Sequence, residues 1–96
     1  QLVDVRAPHE WDLGHIPGAR YMYLPEIRKR AKELDRSRPV VAYCGTGYRA
    51  SIAASLFKKE GFEAYGVPGS YKAWLAAGYE TAAPASMGKA SNTRRA

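Results

Sequence analysis

The chain has 96 residues, enough for one small domain with a single core. Its 46% hydrophobic and 25% charged residues, with seven tyrosines and two tryptophans, are those of a folded globular protein and exclude a disordered one. The formal net charge is +6, the lone cysteine rules out an internal disulfide, and no run approaches the roughly twenty apolar residues that span a bilayer.

Taken in order, "QLVDV" predicts a strand. It opens with no lead-in, so a missing upstream neighbour is expected, as in a piece of a longer protein. "APHEWDLGHIPGA" carries Pro8, Gly14, Pro17 and Gly18, which leave room for only a short helical turn over Pro8 to Leu13 before a loop. "ARYMYL" predicts a short strand. In "PEIRKRAKELD", Pro25 suits a first helical position and Ile27, Ala31 and Leu34 recur at helical spacing, so an amphipathic helix is expected. Arg28, Lys29, Arg30, Lys32, Arg36 and Arg38 fall on this helix and its exit, interleaved with Glu26, Glu33 and Asp35. That mixture predicts a solvated face rather than a nucleic-acid surface, with anion attraction or docking on an acidic partner as the alternative.

"PVVAY" is a continuous apolar run bounded by turn residues and predicts a strand buried on both faces. Cys44 follows it. "RASIAASLFKKEGF" predicts a helix opening near Arg49 and closed by Gly61. "EAYGV" predicts a strand, "PGSY" a turn, and "KAWLAAG" a last short helix ended by Gly78. From Glu80 the chain is small, polar and aperiodic, so 1–79 is expected to form the domain and 80–96 a flexible tail. With no signal peptide or membrane span visible, a cytoplasmic setting is expected, where a lone thiol stays free unless it is used chemically.

Strands alternating with helices predict an α/β fold, a mostly parallel sheet with helices on both faces. Ligands of such sheets bind beyond the carboxyl ends of the strands, where Cys44 would lie. If "CGTGY" is a tight loop between strand and helix, its N–H groups can converge on the sulfur, and Gly45 and Gly47 permit the backbone angles. The helix dipole and the Arg49 guanidinium also favour an anion there, so a lowered thiol pKa is expected. The bland alternative is a cysteine that merely fills a small apolar space.

"CGTGYR" resembles the Cys-x-x-Gly-x-Arg active-site loop of the rhodanese family of sulfurtransferases. "DVRAPHEWDLGHIPGA" is similar to the family's other signature, with Asp4, Arg6, Glu10, Gly14, His15, Ile16, Pro17, Gly18 and Ala19 in matching places, and "VPGSYKAW" to its closing motif. The resemblance covers residues 2 to about 79. It implies a rhodanese-like three-layer fold, with the usual N-terminal strand and helix missing from this sequence.

It also implies that Cys44 takes a sulfane sulfur from a small anionic donor, thiosulfate or a glutathione-type persulfide, and passes it to cyanide or a thiol. Neither a metal nor an organic cofactor is implied. Arg49 would be the charged catalytic stabiliser, and Gly45, Thr46, Gly47 and Tyr48 the substrate cradle. Asp4 and Arg6 are expected as a partly buried ion pair, with Glu10 a candidate partner of Arg6, and His15 as a structural residue rather than a general base. His9 is expected at the surface. Tyr48, ahead of Tyr71 and Trp74, is expected to frame the mouth, and Ser51 to add a hydroxyl or a helix cap.

"YLPEIRKR", "YCGTGYRASIAAS" and "VPGSYKAW" further resemble rhodanese domains attached to metallo-β-lactamase-fold hydrolases, including persulfide dioxygenase fusions, which implies such a domain as a partner. Gly45 stands where thiosulfate-preferring members often carry a basic residue, and Ala50 where serine is common. Phosphatases of the same fold have five residues between cysteine and arginine; here Gly45, Thr46, Gly47 and Tyr48 alone intervene, so phosphatase or arsenate reductase activity is the weaker enzymatic alternative. A non-catalytic docking module is the alternative from another class.

Overall fold

A computed structural model describes residues 1–84. Four strands form one parallel sheet: β1 (Leu2–Asp4), β2 (Arg20–Tyr21), β3 (Val40–Tyr43) and β4 (Ala64–Gly66), in the order β2-β1-β3-β4. Among the described residues the α-helices are α1 (Pro8–Leu13), α2 (Ile27–Arg30), α3 (Tyr48–Lys59) and α4 (Ser70–Ala76). β1, although first in the chain, is an inner strand paired on both sides, and β2 and β4 are the edges.

Parallel crossovers are right-handed, which fixes the layers. The step from β1 to β2 runs one way across the sheet, and the steps to β3 and β4 run the other way. α1 therefore covers one face, and α2 and α3, which touch each other, cover the opposite face.

Alternation along the strands matches this division. Val3, Val5, Val40, Ala42 and Cys44 join Ile27 and Ala31 of the α2 region and Ala50, Ala53 and Phe57 of α3 in one buried cluster. Each large side chain so buried contributes roughly 1.5–3 kcal/mol. Asp4 and Tyr43 point to the other face, where Tyr43 Oη accepts the Ile16 N–H at 3.0 Å and the ring lies against Tyr71 of α4. Both faces of β3 are covered, as its apolar run predicts.

The expected amphipathic helix is divided. 3₁₀ turns over Leu24–Glu26 and Ala31–Glu33 flank a single α-turn, yet Ile27, Ala31 and Leu34 are all buried. Their spacing explains the division: the step of four from 27 to 31 suits an α-turn, and the step of three from 31 to 34 suits a 3₁₀ turn. The basic face is solvated, with Arg30 paired to Glu26 and Glu33, and Glu33 also to Arg20. "ARYMYL" forms a shorter strand than expected, because the chain turns into the 3₁₀ segment at Leu24, ahead of Pro25.

The expected tail is tied down at its start. Ala82 and His15 exchange two backbone hydrogen bonds of 2.9 Å, and Trp74 Nε1 donates to the Glu80 carbonyl. The rest of that expectation, 85–96, lies outside the described residues. No helix among the described residues is long and apolar enough to cross a membrane.

Candidate active site

β3 delivers Cys44 to the carboxyl end of the sheet at an inner position, and α3 begins four residues later. The intervening loop folds back on the sulfur: Sγ accepts the Gly47 N–H at 3.0 Å and the Ala50 N–H at 3.3 Å. Burial by itself raises the thiol pKa. The N–H groups of Gly47, Ala50 and Thr46 and the hydroxyl of Ser70 outweigh it, and the thiol is held below its ordinary value.

Gly47 has φ +114°, and a Cβ there would lie 3.3 Å from the Gly69 nitrogen, so both backbone angle and space call for glycine. Gly45 serves differently from expectation. It is not among the positive-φ glycines; instead a Cβ at this position would meet Arg49 Nη2 at 3.1 Å. Its bareness lets the guanidinium lie against the loop.

The other side of the loop is held by α4. Tyr71 N–H donates to the Cys44 carbonyl and Lys72 N–H to the Gly45 carbonyl, each at 2.9 Å, while the Cys44 N–H donates to Ser70 Oγ at 3.1 Å. The first N–H groups of a helix have no partner within it, and here two of them take loop carbonyls. With those carbonyls turned toward α4, the later loop amides face the sulfur.

Arg49 reaches back over the loop to α1. Its Nη1 and Nη2 donate to Glu10 Oε1 and Oε2 at 2.6 and 3.0 Å. Glu10 also accepts the Ala7 N–H, closing a capping interaction at the start of α1. The Arg49 hydrogen bonds hold the Glu10 carboxyl down to about 2. The guanidinium pKa is raised, chiefly by Glu10 and further by Cys44, so Arg49 stands between a carboxylate and the sulfur. Glu10, expected beside Arg6, is thus the partner of Arg49; Arg6 adds only a longer-range attraction.

Asp4 and Arg6 are buried, 0% and 4% exposed, and pair through 2.8–3.1 Å contacts. Arg6 N–H donates to the same carboxylate, and Nη2 reaches the Gly14 carbonyl at 2.7 Å. The guanidinium lies 4.2 Å from the Tyr71 ring centre. This pair ties the end of β1 to the 14–16 turn and to α4, behind the loop.

His15 is buried and stacked on Trp11 at 3.4 Å, with Nδ1 near the Trp11 carbonyl, so its ring is occupied by α1 rather than by Cys44. Tyr48 is 76% exposed at the start of α3, and Thr46 is exposed at the tip of the loop. Tyr71 packs under Arg6, and Trp74 against Tyr79. The Ser51 hydroxyl donates back to the Tyr48 carbonyl, inside the first turn of α3 rather than as its cap. His9 is at the surface.

Residues 1–77 match the family model for the rhodanese-like domain. The chain belongs to the rhodanese-like domain family. Among curated relatives, a Bacillus subtilis protein named "Uncharacterized protein YqhL" is 40% identical over 75 residues, 77% of this chain and 60% of that one. The "Putative sulfur carrier protein YrkF" of the same organism is 39% identical over 65% of this chain and 34% of its own length. The "Probable adenylyltransferase/sulfurtransferase MoeZ" of Mycobacterium tuberculosis is 40% identical over 76% of this chain and 19% of its own. The chain thus spans 60% or less of these curated relatives.

Solved structures agree in fold. A rhodanese-related protein from Thermoplasma volcanium superposes with a TM-score of 0.81 at 26% identity, covering 88% of this chain and 84% of that one. The Rhodanese_3-like domain of an Anabaena protein gives 0.77 at 30% identity, covering 85% and 97%.

Two residues of this rhodanese-like site escape a reading of the sequence by motif. Glu10 is legible as part of a signature but not as the partner of a residue 39 positions away. Ser70 lies within "VPGSYKAW", and its only signal is a hydroxyl after a glycine at a helix entry.

Proposed function

We propose that this domain is a sulfurtransferase in which Cys44 carries the sulfur as a persulfide. The observation that carries the proposal is the pair of N–H donors on Cys44 Sγ, from Gly47 and Ala50, in a loop short enough to surround one sulfur atom. The Cys44 thiolate attacks the outer sulfur of a donor R–S–S⁻ or ⁻S–SO₃⁻. The sulfur–sulfur bond of the donor breaks, its electron pair leaves with the thiolate or sulfite, and Cys44–S–S⁻ is formed. An acceptor nucleophile then takes the terminal sulfur, and Cys44 regains its electron pair as thiolate. Amides already directed at the sulfur stabilise its negative charge without reorganisation.

Arg49 is the charged group nearest the sulfur in this scheme, but Glu10 offsets much of its charge. That favours a donor with a single negative charge at its reacting end, such as a glutathione-type persulfide, over thiosulfate, which carries both of its charges there. The motifs resembling domains attached to metallo-β-lactamase-fold hydrolases favour the same donor, and such a domain as a fused or associated partner. A reducing cytoplasm, where the thiol stays free, is the setting proposed.

Intact mass after incubation with glutathione persulfide or thiosulfate, each followed by cyanide, tests the proposal. A gain of one sulfur atom mapped to Cys44 and removed by cyanide is expected, more completely from the persulfide. Absence of an adduct from both donors overturns the proposal and leaves a docking module.

A further inference from the structure

Ser70 is the only non-glycine residue with a positive φ, +45°, among the described residues, and it directly follows Gly69 at +74°. A side chain in this region costs free energy that glycine does not pay, so a serine held there needs a compensating contact. The compensation lies at the catalytic cysteine.

Ser70 is 3% exposed; its Oγ accepts the Cys44 N–H at 3.1 Å and donates to the Val67 carbonyl at 2.7 Å. The same Val67 carbonyl also accepts the Ser70 N–H at 3.2 Å. Tyr71 and Lys72 meanwhile hold the carbonyls of Cys44 and Gly45. Residues 70–72 thus grip the cysteine by its amide, its carbonyl and the next carbonyl.

We propose that Ser70 is a positioning residue for Cys44, whose hydroxyl, anchored on the Val67 carbonyl, fixes the cysteine amide and so holds the sulfur against the Gly47 and Ala50 N–H groups. For the persulfide this role rests on the sulfurtransfer proposal above; for the thiolate it does not. Alanine at 70 removes the hydroxyl and leaves the strain, whereas glycine removes both.

The test is the pH dependence of Cys44 alkylation by iodoacetamide in the wild type, Ser70→Gly and Ser70→Ala, with the thermal midpoint of each. Both variants should move the alkylation midpoint up by roughly one pH unit, as the released cysteine loosens a hydrogen bond on its thiolate. Ser70→Gly should melt above Ser70→Ala, since both leave the Cys44 N–H without its acceptor and glycine alone relieves the strain. A wild-type alkylation midpoint in whichever variant folds overturns the proposal, since a purely structural serine would shift melting alone. Alkylation needs no sulfur donor, so failure of sulfur transfer in the wild type would be read separately.

Discussion

Glu10 of α1 and Arg49 of α3 form a two-point ion pair across the mouth of the Cys44 loop, at 2.6 and 3.0 Å. In the proposed transfer an incoming anionic donor would meet that same guanidinium. Glu10→Gln should release that charge and lower the KM for thiosulfate by about tenfold, the worth of one unscreened charge a few ångströms away, with a smaller change for glutathione persulfide, which carries a single charge at its reacting end. Steady-state kinetics with both donors read this selectivity, and equal effects on the two would remove Glu10 from donor choice.

The same pair sets an acid dependence of stability. The Glu10 carboxyl is lowered to about 2 from its ordinary 4.5, so its contribution is complete above 4.5 and is lost as pH falls toward 2. At neutral pH, Glu10→Gln should be less stable than the wild type by about 1 kcal/mol, both partners being partly exposed. The difference should shrink below 4.5 in urea titrations at stepped pH.

In the proposed transfer Cys44 reacts as thiolate, and its pKa is lowered by the loop amides and Ser70 against the opposing effect of burial. The rate of persulfide formation should therefore be flat at and above the ordinary thiol range and fall only at lower pH, as the sulfur takes up its proton. Cys44→Ser should reduce transfer to background, because a hydroxyl does not ionise near neutrality. Single-turnover measurements from acid to alkaline pH check both expectations.

Arg49→Lys keeps a charge but cannot bind Glu10 through two parallel hydrogen bonds. It should retain part of the transfer rate, whereas Arg49→Ala should lose about tenfold or more, with Cys44 alkylation moving to higher pH. Circular dichroism should show both variants folded.

Asp4→Asn leaves the Arg6 guanidinium buried opposite a neutral group. Unfolding free energy should fall by about 3 kcal/mol, although neither residue is placed at the sulfur. Denaturant titration reads the loss; a stability unchanged from wild type would mean that Tyr71 and the Gly14 carbonyl hold Arg6 unaided.

Much of this protein is legible locally. The short helix after Pro8, the twice-buried strand before Cys44 and the helix after it follow from apolar periodicity and from proline and glycine punctuation, which act within a few residues. The α2 region is not legible in this way, because an apolar spacing of four and then three fits a continuous helix as well as an α-turn running into a 3₁₀ turn. Gly45 and Gly47 look alike in sequence. Only the folded loop separates a glycine needed for its φ from one needed for the space it leaves to Arg49.

The sequence by itself determined the family, the position of Cys44 at a strand end and the loop of four residues before Arg49, because each is a matter of residue type and short spacing. The tertiary structure decided the partners: Glu10 for Arg49, Ser70 for the Cys44 amide, and the first turn of α4 for the loop carbonyls. Parallel crossovers bring together residues tens of positions apart, and which donor meets which acceptor there depends on strand order and register rather than on local pattern.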